Sequence, residues 1–304
     1  MTTALISHTD CLDHVTPDGH PESVARLKAI NATLADFDLL RIDAPMGKDT
    51  HILRAHPAAH LERIKTAGVG PLDPDTHMSA GTLDAAYRGV GAVTKAVDMV
   101  LDGQAQNAFC AIRPPGHHAE RQTPMGFCLF GNVAIGAKHA LEAHGLSRVA
   151  IMDFDVHHGN GTQNLVWDDA RIFFTSTHQM PLYPGSGATH ERGAHDNVLN
   201  VPLAPDTGGA EFRAAMEAQV LPAIDTFRPE LILISAGFDA HRADPLANLN
   251  WIEEDFAWAT NALCDLADKH CAGRVVSTLE GGYNIDALAA SCAVHVNTLM
   301  ERGK

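Results

Sequence analysis

The sequence predicts an α/β chain folded as a single-domain three-layer sandwich, a mostly parallel sheet covered by helices on both faces. Three observations carry this. Short β-rich runs alternate with longer helical patterns for nearly the whole of the 304 residues. The strand runs are continuously apolar, as strands buried on both faces are. No internal repeat, low-complexity tract or linker rich in Pro, Gly or Ser divides the chain, so residues 1–304 are expected to form one unit.

In chain order, strands are expected over 2–6, 39–43 and 108–112, with a helix over roughly 82–102 before the third. A helix over roughly 131–144 follows, closed by Gly145 after "KHALEAH", and then a strand over 148–155. Strands over 171–177 and 197–203 precede a helix over roughly 209–227, and a strand over 231–235 precedes another over roughly 252–271. A strand over 274–279 leads to the last helix, roughly 284–301, with Asn284 as its cap. In such sheets ligands bind beyond the carboxyl ends of the strands, which is where chemistry is to be sought.

Composition removes several function classes. With 37 acidic against 22 basic residues, a formal charge of −15, the surface is not built to hold nucleic acid or anionic membrane. Six cysteines without a CxxC pair read as reduced, buried thiols rather than a disulfide framework or a zinc knuckle. The start "MTTALISHTDC" carries no basic region followed by a long apolar stretch, and no apolar run approaches the length of a bilayer span. A cytoplasmic protein is expected, with a homo-oligomer left open. The unusual feature is 19 histidines against 3 tyrosines and 3 tryptophans.

Those histidines cluster past strand ends. The run at 108–112 leads into "RPPGHHAERQTPMGFC", with His117 and His118 on a loop stiffened by Pro and Gly. The run at 148–155 ends in "DFDVHHGNG", the run at 231–235 leads to Asp239 in "AGFDAHRADP", and the last strand leads to Tyr283 in "EGGYN". Any one of these alone reads as an ordinary solvated loop; four strands delivering His, Asp and Tyr to one sheet edge do not. Asp155, His157 and Asp239 offer two carboxylates and an imidazole, a set that holds a metal and leaves a position open for water. Iron and manganese suit oxygen-rich ligation as well as zinc does. Asp153 is read as orienting a histidine, one of the pair His117 and His118 as the proton carrier, and Tyr283 as a donor to a polarised carbonyl. "HHGNG" lacks the lysine of a phosphate loop, and no GxSxG occurs, so water is the expected nucleophile.

"RPPGHHAERQTPMGFCLFGNVAIGA", "DFDVHHGNGTQ", "YPGSG", "LISAGFDAHRADPL" and "EGGYN" resemble the zinc-dependent histone deacetylase family. The resemblance runs from "GHPES" near residue 19 past Tyr283 and is closest to the class II type, near bacterial and acetylpolyamine amidohydrolases. It implies an arginase/deacetylase-like fold, Zn²⁺ on Asp155, His157 and Asp239, and proton transfer by His118 with His117 as its electrostatic partner. It also implies that Asp153 orients a pair histidine and that Tyr283 stabilises the tetrahedral oxyanion. A structural K⁺ is implied at Asp153, the backbone of Asp155, His157 and Thr177, and the Ser176 hydroxyl. Gly126 and Phe127 match one wall of an acyl-lysine tunnel, and Leu182 or Tyr183 the other.

Departures from the pattern are informative. Asn160 stands where class I members carry a second orienting aspartate, which resembles class II and implies a less basic His118. Tyr283 is kept where weakly active members have histidine. Leu246 stands where a polyamine-specific relative has a glutamate, which tilts the expectation from acetylpolyamines toward acylated lysine peptides. A small acylated amine stays as the alternative substrate, and a non-catalytic acyl-lysine binding module as the other class.

Overall fold

The computed structural model describes residues 2–303. β1 (Thr3–Ser7) and β2 (Leu40–Asp43) precede a small antiparallel hairpin of β3 (Gly70–Pro71) and β4 (His77–Met78). Then follow β5 (Asn107–Cys110), β6 (Val149–Asp153), β7 (Ile172–Gln179), β8 (Val198–Leu203), β9 (Leu231–Ala236) and β10 (Val275–Leu279). All but the hairpin form one sheet in the order β2-β1-β5-β10-β9-β6-β7-β8. Every ladder in it is parallel. The eight strands coincide with the apolar runs, and β5, β6, β9 and β10 are buried along their whole length.

The order locates the site. The chain builds β2-β1-β5 as one half and β6-β7-β8 as the other, then returns with β9 and β10 to fill the gap between β5 and β6. Connections on the two sides therefore leave in different directions, and the crevice of the sheet opens at the carboxyl ends of these four central strands.

Helices α1 (Val24–Thr33), α2 (Asp49–Ile52) and α3 (Ala58–Thr66) lie in the first part of the chain, followed by α4 (Thr82–Leu101), α5 (Asn132–Ala143) and α6 (Asn160–Val166). α7 (Gly209–Ala215), α8 (Leu221–Phe227), α9 (Glu253–Cys271) and α10 (Ile285–Arg302) complete the set. α4 and α5 pack together as one row, while α10 packs between α1 and α9 as another. β5 shows the two faces. Asn107 donates through Nδ2 to the Leu299 carbonyl at 2.8 Å, and Phe109 lies edge-on to His295 with 5.6 Å between ring centroids, both on α10. Ala108 and Cys110, of opposite parity, face the layer of α4.

The structure differs from expectation in several places, the β3–β4 hairpin among them. β6 stops at Asp153, so Asp155 and His157 meet through the loop beyond the strand and not through its pleat. The expected helix over 209–227 is α7, a π turn at Met216–Val220, and α8; Pro222 lacks the N–H that a continuous α-ladder needs there. α1, α2 and α3 were not expected at all. α1 turns Arg26 inward with Leu27 and Ile30, so a buried cation interrupts its apolar stripe.

Candidate active site

Asp155 and His157 follow the end of β6 and Asp239 the end of β9. Their ligand atoms lie within 4.8 Å of one another, and all three residues are buried. His157 Nδ1 sits 3.2 Å from Asp155 Oδ1 and 3.1 Å from Asp239 Oδ2. Backbone aims the carboxylates: Gly281 N–H donates to Asp155 Oδ2 and Val156 N–H to Asp239 Oδ1, each at 2.8 Å. A Cβ at Gly281 would collide with both carboxylates, so β10 can exit here only through glycine.

Two carboxylates buried together demand a positive charge. Burial and the neighbouring Asp155 raise the Asp239 carboxyl to about 7. Against the pull of burial, His117 and His157 hold Asp155 below the usual carboxylate range. Burial also opposes a charged His157, yet Asp155 and Asp239 lift it to about 10. Within the chain, then, a proton on His157 balances the pair. A divalent ion binding to one nitrogen and two carboxylates would displace that proton and satisfy all three, and this donor set fits zinc.

The histidine pair is split by its environment. His117 Nδ1 is 3.0 Å from Asp153 Oδ2. Burial opposes its charge, but Asp155 and Asp153 hold it well above the ordinary imidazole range. His118 Nδ1 is 2.7 Å from Asn160 Oδ1, and Asn160 Nδ2 donates to Glu120 Oε1 at 2.8 Å. A carboxylate only accepts, so Glu120 takes the amide N–H and leaves the amide oxygen for His118. The His118 proton therefore sits on Nδ1 and its Nε2 lone pair is free. Burial and the positive neighbours His117 and His157 keep it well below the ordinary range. One imidazole is held charged and its neighbour neutral, with 4.0 Å between ring centroids.

A cavity of about 200 Å³ opens onto these groups, lined by Gly126, Phe127, Leu182, Tyr183, Leu246, Tyr283, His118, His157 and Asp75. Phe127 lies edge-on to Tyr283 at 5.9 Å, and Tyr183 edge-on to His118 at 5.2 Å. Leu182 and Tyr183 line the same cavity as Phe127. Phe127 has φ +68°, a strained conformation for a side chain of its size. Its N–H donates to Thr76 Oγ1 at 3.0 Å and that of Gly126 to Asp75 Oδ1 at 3.1 Å, which hold the loop in place. Tyr183 and Leu246, 40% and 36% exposed, mark the mouth. The residues expected to hold potassium also lie close together. Asp153 and Ser176 are register partners on β6 and β7, Ser176 Oγ lies 2.8 Å from His178 Nδ1, and Thr177 follows in the same strand.

Several supporting residues escaped the sequence reading. Glu280 Oε2 accepts from the N–H groups of Gly116 and His117 at 2.7 and 3.1 Å, which fixes the histidine loop to β10. Arg26 donates to the Gly282 carbonyl at 2.6 Å and lies over the Tyr283 ring at 5.0 Å. Glu22 pairs with both Arg26 and Arg113, all fully buried. Asp244 Oδ2 accepts from Tyr283 N–H at 2.7 Å, and its Oδ1 accepts from Leu246 N–H at 3.0 Å. Glu280 and Asp244 stand inside the quoted motifs, where position just past a strand was the available signal.

A model of the histone deacetylase domain matches residues 20–299. The histone deacetylase-like amidohydrolase of Pseudomonas aeruginosa is 40% identical over 285 residues, covering 91% of this chain and 74% of that protein. The probable deacetylase of Archaeoglobus fulgidus is 36% identical over 297 residues, covering 94% and 82%. Among solved structures, an HDA15 HD domain aligns with a TM-score of 0.94 at 32% identity, over 99% of this chain and 89% of that one.

Proposed function

The chain belongs to the histone deacetylase family of hydrolases, and we propose that it removes acetyl or other short acyl groups from N-acyl-lysine side chains, as a zinc-dependent amidohydrolase acting over 1–304. The observation that carries this reading is the convergence, on one narrow cavity, of a buried Asp155–His157–Asp239 trio with a neutral His118 and the Tyr283 hydroxyl.

Zinc held by Asp155, His157 and Asp239 would polarise the acyl carbonyl and acidify water. The chain's own groups do the rest. His118, neutral with Nε2 free, takes a proton from water and later gives it to the departing amine. His117, kept charged by Asp153, favours the developing oxyanion, to which Tyr283 donates its hydroxyl proton as a hydrogen bond. Burial keeps that hydroxyl protonated, well above its usual range. Phe127 and Tyr183 strip water from an alkyl chain of lysine width. Hydroxyl and carbonyl oxygens at Ser176, Thr177, Asp155 and His157, with Asp153, suit a structural K⁺. A reducing, cytoplasmic setting suits six free, buried cysteines.

Tyr283→Phe and His118→Ala should each lower turnover of a fluorogenic acetyl-lysine peptide by about 100-fold or more. Near-wild-type turnover in either would remove its assigned role. Asp75 at the mouth favours a second substrate, a small acylated amine with another cationic group. Parallel kinetics on acetyl-lysine peptide, acetylputrescine and acetylspermidine separate the two, and acetyl-lysine binding without acetate release would make the chain a binding module instead.

A further inference from the structure

The motif "KHALEAH" closes α5 and carries His139 and His144. Its two histidines meet Asp98 of α4 at the opposite end of the molecule from the cavity, since α4 and α5 end where β5 and β6 begin. His139 and His144 both bring Nε2 to one oxygen, Asp98 Oδ1, each at 2.7 Å. The three ligand atoms lie within 4.8 Å of one another, the same convergence found in the Asp155–His157–Asp239 trio.

Exposure of the side chains is graded: 8% for His139, 20% for His144 and 40% for Asp98. One imidazole is anchored and the outer side stays open, so an ion can enter from solvent and water can complete its coordination. Burial raises the Asp98 carboxyl, but hydrogen bonds from His139 and His144 outweigh it and bring it to about 2, so it is anionic at neutral pH. Two imidazoles and one carboxylate are a borderline donor set that selects zinc and its transition-metal neighbours over calcium or magnesium. The geometry points to a second metal site at Asp98, His139 and His144, for a divalent transition ion such as Zn²⁺, weaker and more exchangeable than the first.

Arg54 makes the site weak. Its Nη1 lies 3.1 Å from His139 Nδ1, and its Nε pairs with Glu142 Oε2 at 2.9 Å. A guanidinium only donates, so it places the His139 proton on Nε2, the atom that must bind. Binding therefore moves that proton, and the Nε2 proton that His144 likewise donates to Asp98, to the Nδ1 of each ring, and turns Arg54 wholly to Glu142.

The test is a titration of the purified protein with Zn²⁺ and Co²⁺, counting ions per chain and recording the Co²⁺ visible spectrum. Wild type should take one tight ion and a second, weaker one. Asp98→Asn and His144→Gln should each lose only the weaker ion and keep turnover at low zinc. Asp155→Ala should lose only the tight one, which separates this site from the deacetylase reading. Arg54→Ala should bind the second ion about fivefold tighter, the effect of one partly exposed charge. A single ion per wild-type chain throughout, or a second ion retained in both Asp98→Asn and His144→Gln, overturns the proposal; the wild-type count decides even if a variant fails to fold.

Discussion

Asn160 sets the chemistry of His118 by which way its amide faces. With its N–H on Glu120 and its oxygen on His118, it orients the imidazole without the negative charge that would favour imidazolium. Asn160→Asp adds that charge, so the His118 pKa rises. The acidic limb of the kcat/KM profile should then move to higher pH by about one unit. An unmoved limb would show that His118 is not the group whose neutral form the reaction needs. Glu280 makes a second case. Burial raises its carboxyl to about 7, against about 4.3 for a free glutamate. The folded chain thus holds a proton that the unfolded chain releases, and stability falls as pH rises between those values. Glu280→Gln keeps an acceptor for Gly116 and His117 and should flatten that fall, a difference of up to about 4 kcal/mol across the window in denaturant titrations.

At the scale of elements, the turn after β10 is braced by α1. Glu22 sits between Arg26 and Arg113, and Arg26 reaches the carbonyls of Glu280 and Gly282. Glu22→Gln leaves two buried guanidinium groups short of their counter-charge and should cost about 3–5 kcal/mol of stability. Arg26→Lys keeps a charge but not the fork that spans both carbonyls. It should lower kcat by about tenfold with a smaller change in KM, because Tyr283 loses its orientation. None of this brace was legible in the sequence. The Glu22–Arg113 pair joins residues 91 apart, and in one dimension a buried ion pair looks like two solvated surface charges. Most of the eight strands were legible because a parallel strand covered on both faces is a largely apolar run; β2, at the sheet edge, reads LRID and is mostly exposed. The trio and the histidine pair were legible because each stands just past such a run. α1 and α3 were not, since Arg26 and His60 point inward and blur the apolar period.

For the whole molecule, a metal held by Asp155, His157 and Asp239 would share one free energy with the fold. A ligand that binds only the folded chain stabilises it, by about 4 kcal/mol at a thousandfold excess over Kd. Dialysis against a strong chelator should therefore lower the melting temperature and abolish turnover together, and Zn²⁺ should restore both. Lost turnover with an unchanged melting temperature would mean that the metal contributes nothing to holding β6 and β9 together.

β9 and β10 enter the sheet last and sit in its middle, which orders events on the ribosome. Until they emerge, the two outer halves of the sheet share no ladder, and Asp155 and His157 wait without Asp239. His157 and Asp239 are 82 residues apart, roughly 4–16 s of synthesis at about 5–20 residues per second. For that interval a nascent chain displays half a metal site, open to water and to any passing ion, and closes it only when the central strands slot home. A metal held by all three residues would load only once β9 has emerged, so a truncated product that never reaches β9 lacks Asp239 and with it the complete trio.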